Sequence, residues 1–156
     1  MNQTSLLPGD QLEILRRKLQ QLHALTLDAE KQFHPVMGSW ELLDRLVKDP
    51  VWAWLRPLST LIADIDHVLA QQEPATEYDL AVAAGHTREL LAGEGESGAQ
   101  FNERYLPLLQ QSPELVSAHG DVKRWLKDAP VESVDESERL HRRHQWAMRC
   151  KHRART

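Results

Sequence analysis

Leu12, Leu15, Leu19, Leu22, Thr26, Ala29 and Phe33 follow one another at steps of three and four residues without a break. At about 100 degrees per residue, that spacing gathers all of these apolar or small side chains on a single stripe of an α-helix. The same rule organises most of the chain, and no segment shows the strict alternation of a half-buried strand. Such a chain has only helix stripes to bury against helix stripes, so the expected fold class is all-α.

Residues that begin and stop helices set the expected boundaries. Asp10 is expected to cap the first helix, and Pro35 to end it near His34, because the residue before a proline disfavours the α conformation. Ser39 reads as the cap of a short helix with Trp40, Leu43 and Val47 on one side, stopped by Asp49 and Pro50. Val51, Trp54, Leu58, Leu61, Ile65 and Val68 then hold one helical phase. A helix from about Val51 to Gln71 is therefore expected, kinked near Ala53 to Pro57, where Pro57 removes a backbone hydrogen bond. Thr76 with Asp79 has the form of a capping box for a helix through Leu80, Ala83, Thr87, Leu90 and Leu91, closed by Gly93.

Gly93 to Gly98 reads as a flexible loop, with Ser97 and Gln100 as a further capping box for a helix carrying Phe101, Tyr105 and Leu108 that Pro107 should bend. Ser112, Pro113 and Glu114 open the next, with Leu115, His119, Val122 and Leu126 on its stripe as far as Ala129 and Pro130. Together these segments predict a single-domain, roughly antiparallel bundle of about six helices over residues 1–130, the Pro57-kinked helix lying at its centre. A length of 156 residues suits one such core.

Charge divides the chain. Residues 1–130 carry 12 Lys and Arg against 19 Asp and Glu, whereas residues 139–156 carry seven basic side chains and no acidic one. Within residues 131–156 the apolar side chains Leu140, Trp146, Ala147 and Met148 are thinly spread, so this basic segment is expected to be a solvated helix or a disordered tail that orders on contact. The single cysteine, Cys150, has no partner for a disulfide within the chain, which points to a reducing compartment. No secretory signal opens the sequence, and no apolar run approaches the roughly 20 residues of a membrane span, so a cytoplasmic location is expected and no membrane contact.

The run Asp49-Pro50-Val51-Trp52-Ala53-Trp54-Leu55-Arg56-Pro57-Leu58, continuing through Leu61-Ile62 to Asp64-Ile65-Asp66, resembles a segment shared by small uncharacterised bacterial helical proteins. The likeness covers about the middle third of the chain. It implies a bacterial source and a helical fold, and it brings no activity, cofactor or functional residue with it.

Eight histidines raise the question of a metal, since helical bundles build metal sites from carboxylate and imidazole groups three or four residues apart. Asp64 and His67 have that spacing, but His67 falls almost opposite the stripe of Leu58, Leu61, Ile65 and Val68 and should face solvent. Glu30, His34 and His119 are the remaining weak candidates. A lone core histidine with a hydrogen-bond partner is the commoner arrangement, so no metal site and no cofactor is expected. No nucleophile elbow, glycine-rich phosphate loop or zinc-type spacing occurs, and Asp64 and Asp66 point in different directions on a helix. Cys150 lies between Arg149 and Lys151, which favours its thiolate, but it reads as an incidental cysteine.

Trp52 points away from the core stripe, beside Arg56 four residues on, the composition of an interface anchor; alternatively Trp52 packs under the short helix from Ser39 to Lys48 or against the kink. The C-terminal segment, with Arg142, Arg143 and Trp146 foremost, fits either a nucleic-acid contact or docking onto the acidic body of a second subunit. The preferred reading is a non-enzymatic helical protein-protein interaction module, self-associating, with Trp52, Arg56, Arg142, Arg143 and Trp146 as its contact residues and no catalytic ones. The alternatives are a metal- or cofactor-binding bundle and nucleic-acid binding through the C-terminal segment.

Overall fold

The structure, a computed structural model, describes residues 6–33, 38, 40, 41, 44 and 53–154, with the backbone alone for residues 33 and 152–154. Among these residues the protein is all-α. Its helices are α1 (Pro8–Phe33), α2 (Arg56–Leu69), α3 (Glu77–Ala92), α4 (Gly95–Gln111), α5 (Pro113–Asp128) and α6 (Glu136–Ala154), packed as a helical bundle. The short helix expected from Ser39 to Lys48 falls largely outside the described residues. Trp40, expected on one side of that helix with Leu43 and Val47, is 88% exposed.

The expected stripes become the core. Leu12, Leu15, Leu19, Leu22 and Thr26 of α1 are fully buried, as are Ile65 of α2, Phe101 and Tyr105 of α4, and Leu115 and Val122 of α5. Helix α1 starts two residues before Asp10, with Pro8 in its first turn, where the missing amide of proline costs nothing. Its long apolar stripe packs against α2, α3 and α5.

Pro57 does not sit inside a continuous helix. Trp54 and Leu55 form a turn, α2 begins at Arg56, and Pro57 lies in its first turn. The expected kink thus takes the form of a break, the cheaper way to accommodate a residue that has no amide and crowds the preceding turn. The central place belongs to α3, flanked by α1, α2, α4 and α6. It is buried on nearly every side because Ala81, Val82, Ala83, Ala84 and Gly85 are small enough for four neighbours to approach at once. The Thr76 and Asp79 capping box is formed as the spacing predicts, with the Asp79 amide donating to Thr76 Oγ1 (3.2 Å) and the Thr76 amide to Asp79 Oδ2 (2.9 Å).

The stretch after α3 is a tight turn rather than a flexible loop. Gly93 ends α3 in the left-handed region (φ 73°), which any side chain would strain, and α4 starts only two residues later at Gly95, so Ser97 lies inside the helix and caps nothing. Asn102, about two turns into α4, donates its side-chain amide to the Leu90 carbonyl near the end of α3 and ties the two helices together. Ser112 alone joins α4 to α5 and caps the latter through the Leu115 amide (3.2 Å).

The C-terminal segment is neither solvated all round nor a disordered tail. Helix α6 lies against α2 and α3, with Trp146 and Cys150 buried. No described helix is long and apolar enough to cross a membrane.

Candidate binding cleft

The sequence-derived candidates fall into three groups. Of the metal candidates, His34 lies outside the described residues. The buried Glu30 carboxylate pairs with Arg104 (2.8 Å), and His119 meets the Tyr105 hydroxyl through Nδ1 (2.7 Å). Glu30 and His119 are thus engaged separately, and no group of three or more ligating side chains occurs among the described residues.

The C-terminal candidates turn inward. Arg143 forks onto two carboxylates, Nε and Nη2 reaching Glu132 at 2.8 and 2.6 Å, and Nη1 and Nη2 reaching Glu89 at 3.1 and 2.7 Å. These bonds hold the Arg143 guanidinium above its ordinary basicity. Glu132 reaches this position because residue 85 is glycine; a Cβ there would stand 1.9 Å from Glu132 Oε1. Arg149 pairs with Asp79 and donates through Nε to Gln71 Oε1 (2.5 Å) and through Nη2 to the Glu73 carbonyl (2.6 Å). Trp146 is only 4% exposed, so it is core and not a contact surface. Arg142 lies 3.5 Å over the Tyr78 ring, a cation–π contact on the outer face of α6. The docking of basic segment onto acidic body that the sequence allowed between two subunits occurs here within one chain.

Cys150 shows the same inward turn. Its thiol, 3.7 Å from the Asp64 carbonyl, is pushed up to about 12, first by burial and then by the nearby Asp64 and Asp79 charges, which outweigh Arg149. The favoured thiolate expected from flanking cations is therefore reversed.

Of the proposed interface pair, Trp52 lies outside the described residues, whereas Arg56 stands exposed at the mouth of a cleft the sequence did not announce. The cleft is open, of about 910 Å³. One wall is a single face of α2, where Arg56, Thr60 and Asp64 recur at steps of four. The facing wall is the last turns of α3, with His86, Glu89 and Leu90, and the first turns of α4 close one end with Glu94, Glu96, Ser97 and Gln100. Trp54, 8% exposed, belongs to the lining. The turn that replaces a continuous helix at Pro57 is what brings Trp54 there.

Trp54 is also the outer end of an aromatic series. Its ring centroid is 5.3 Å from that of Phe101, which stacks on Tyr105 at 4.9 Å, which in turn stands 5.7 Å from the His119 ring. The series fixes the indole in place, yet the indole N–H has no hydrogen-bond partner among the described residues. Two titratable groups of the lining are shifted in opposite directions. Desolvation raises the Asp64 carboxyl above its ordinary value, against the opposing pull of His67. Desolvation lowers His86, assisted by the Arg143 charge. His67, expected to face solvent, is half-buried because α6 covers that side of α2.

No protein-family model, curated protein or solved structure matches the chain.

Proposed function

We propose that this chain is a non-enzymatic helical interaction module of a bacterial cytoplasm, and that the cleft between α2, α3 and α4 receives a segment of a partner protein. The observation that carries the reading is an open cleft of about 910 Å³ lined by a nine-tenths buried tryptophan whose indole N–H is unpaired. Concave sites lined by apolar and aromatic side chains with a few polar groups among them are where ligands bind. The inward pairing of Arg143 and Arg149 supports the cleft over the C-terminal segment as the contact surface.

A photo-crosslinking amino acid placed at Gln100, on the exposed lip of the cleft, tests the reading in the source cells against the same group at Lys127 on α5. A protein adduct from position 100 and none from position 127 is expected. Equal adducts from both, or none from position 100, would remove the cleft as the contact surface.

A further inference from the structure

A helix on the surface of a folded body ordinarily turns its charges to solvent and its apolar side chains inward. Helix α6 departs from that rule. Its four described arginines are all engaged: Arg139 donates to the Ser133 carbonyl, Arg142 lies over Tyr78, Arg143 holds Glu89 and Glu132, and Arg149 holds Asp79. The face opposite buried Trp146 carries instead Leu140, His141, His144, Ala147, Met148 and Lys151, all of them exposed. At about 100 degrees per residue, these fall within about 60 degrees of His144. Leu140 and Met148 are 57% and 53% exposed. The order along the face is symmetric about His144, with Leu140 and Met148 four residues to either side, His141 and Ala147 three, and Ser137 and Lys151 seven. A second copy laid antiparallel across it therefore sets Leu140 against Met148 and His144 against His144. The charges fit the same arrangement. The acidic first turn of α6, with Glu136 and Glu138, comes against the end of the other helix that bears Lys151, and the two helix dipoles run in opposite directions.

We infer that the face of α6 opposite Trp146 is a self-docking surface, on which a second copy of this chain pairs antiparallel about a two-fold axis at His144. The contact goes beyond the cleft between α2, α3 and α4 and does not depend on it. It closes at two copies because both use the same face. One helix face from each copy belongs to the low end of interface sizes, so the association is weak and reversible.

Sedimentation velocity of the full-length protein over a concentration series tests this. A dimer and nothing larger is expected, with a dissociation constant on the order of 100 µM. Met148→Glu, at an exposed position, is expected to leave the urea midpoint unchanged and to weaken the dimer about tenfold or more, because it sets a carboxylate on Leu140 beside the acidic turn of the other copy. Glu136→Lys and Lys151→Glu are each expected to weaken it about threefold, and the two combined to restore it. His144→Cys, on the axis, is expected to form a disulfide with itself in mild oxidant, whereas Ser117→Cys, exposed on α5, is not. Should Met148→Glu lower the urea midpoint, the crosslink at position 144 decides by itself. A monomer at every concentration up to about 1 mM overturns the inference. So does a dimer that a folded Met148→Glu leaves intact, a combined charge reversal that restores nothing, or equal crosslinking at positions 144 and 117.

Discussion

At the residue scale, the arrangement that most needs its neighbours is Gly85 beneath the Glu132 and Arg143 pair. Replacing Gly85 by alanine improves helix propensity by about 1 kcal/mol. The new Cβ, however, occupies the place of the Glu132 carboxylate, 1.9 Å from Oε1, and expels a side chain that is only 10% exposed from its bidentate bond. Losing one partner of such a pair costs about 3 kcal/mol, so Gly85→Ala is expected to destabilise by about 2 kcal/mol in urea unfolding. Combining it with Glu132→Ala, which removes the clash, is expected to cost clearly less than the two single losses added; strict additivity would show that the two side chains do not compete. Phe101, fully buried between Trp54 and Tyr105, gives a plainer case. Phe101→Ala is expected to cost about 3–5 kcal/mol by the same measurement, and to broaden the Trp54 indole resonance as the ring loses its support.

At the scale of elements, α6 is the helix whose attachment rests most on charge. Two arginines, not a run of leucines, hold it to α3, with buried Trp146 between them and buried Cys150 next to Arg149. Arg149 and Asp79 are 15% and 11% exposed, and Asp79 also closes the capping box of α3. Arg149→Ala therefore strands a mostly buried carboxylate and is expected to lower stability by about 3 kcal/mol. The loss should be concentrated in α6. Trypsin is expected to cut the variant first at the arginines and lysines of residues 139–151, well before cutting in α1 or α5, whereas uniform cleavage would show that α6 is not a separately released unit. Thr76→Ala, which takes away the other half of the capping box, is expected to cost about 1 kcal/mol without that selective cleavage.

For the whole molecule, the common thread is histidine burial. His23 of α1, His86 of α3 and His119 of α5 are all lowered from the ordinary value of 6.5, in each case chiefly by desolvation. For His86 the Arg143 charge adds to the effect while Glu89 and Glu132 oppose it, and for His119 Lys123 adds to it. Below pH 6.5 the unfolded chain takes up protons that the folded chain refuses, so stability falls as pH drops through that value toward the folded-state values. Asp64 acts in the opposite sense, because its folded value is raised above 3.8 and the folded chain holds the extra proton there, so its contribution lies at lower pH. Urea midpoints are accordingly expected to agree at pH 7 and 8 and to decline from pH 6 to 5. Changing the three histidines to glutamine should flatten that decline, and an unchanged slope would place its origin elsewhere.

The sequence by itself determined the local level of this protein. Apolar spacing of three and four gave helices α1 to α5, because a stripe that faces one core is a property of a single segment. Thr76 with Asp79, and Ser112 with Pro113, marked helix starts correctly because capping bonds join residues only three apart. What only the tertiary structure decided involves partners far along the chain. The core-facing stripe of α6 runs through Arg143, Trp146, Arg149 and Cys150, and it passes for a solvated basic segment until Glu89, Glu132 and Asp79 are known to lie opposite. The all-round burial of α3 could not be read from its one expected stripe, since alanine and glycine are neutral to periodicity and acquire meaning only when four helices converge on them. The cleft is of the same kind. Trp54, Asp64 and His86 carry no motif, and they become one site because a turn before Pro57 and a tight turn at Gly93 set α2, α3 and α4 around a common space.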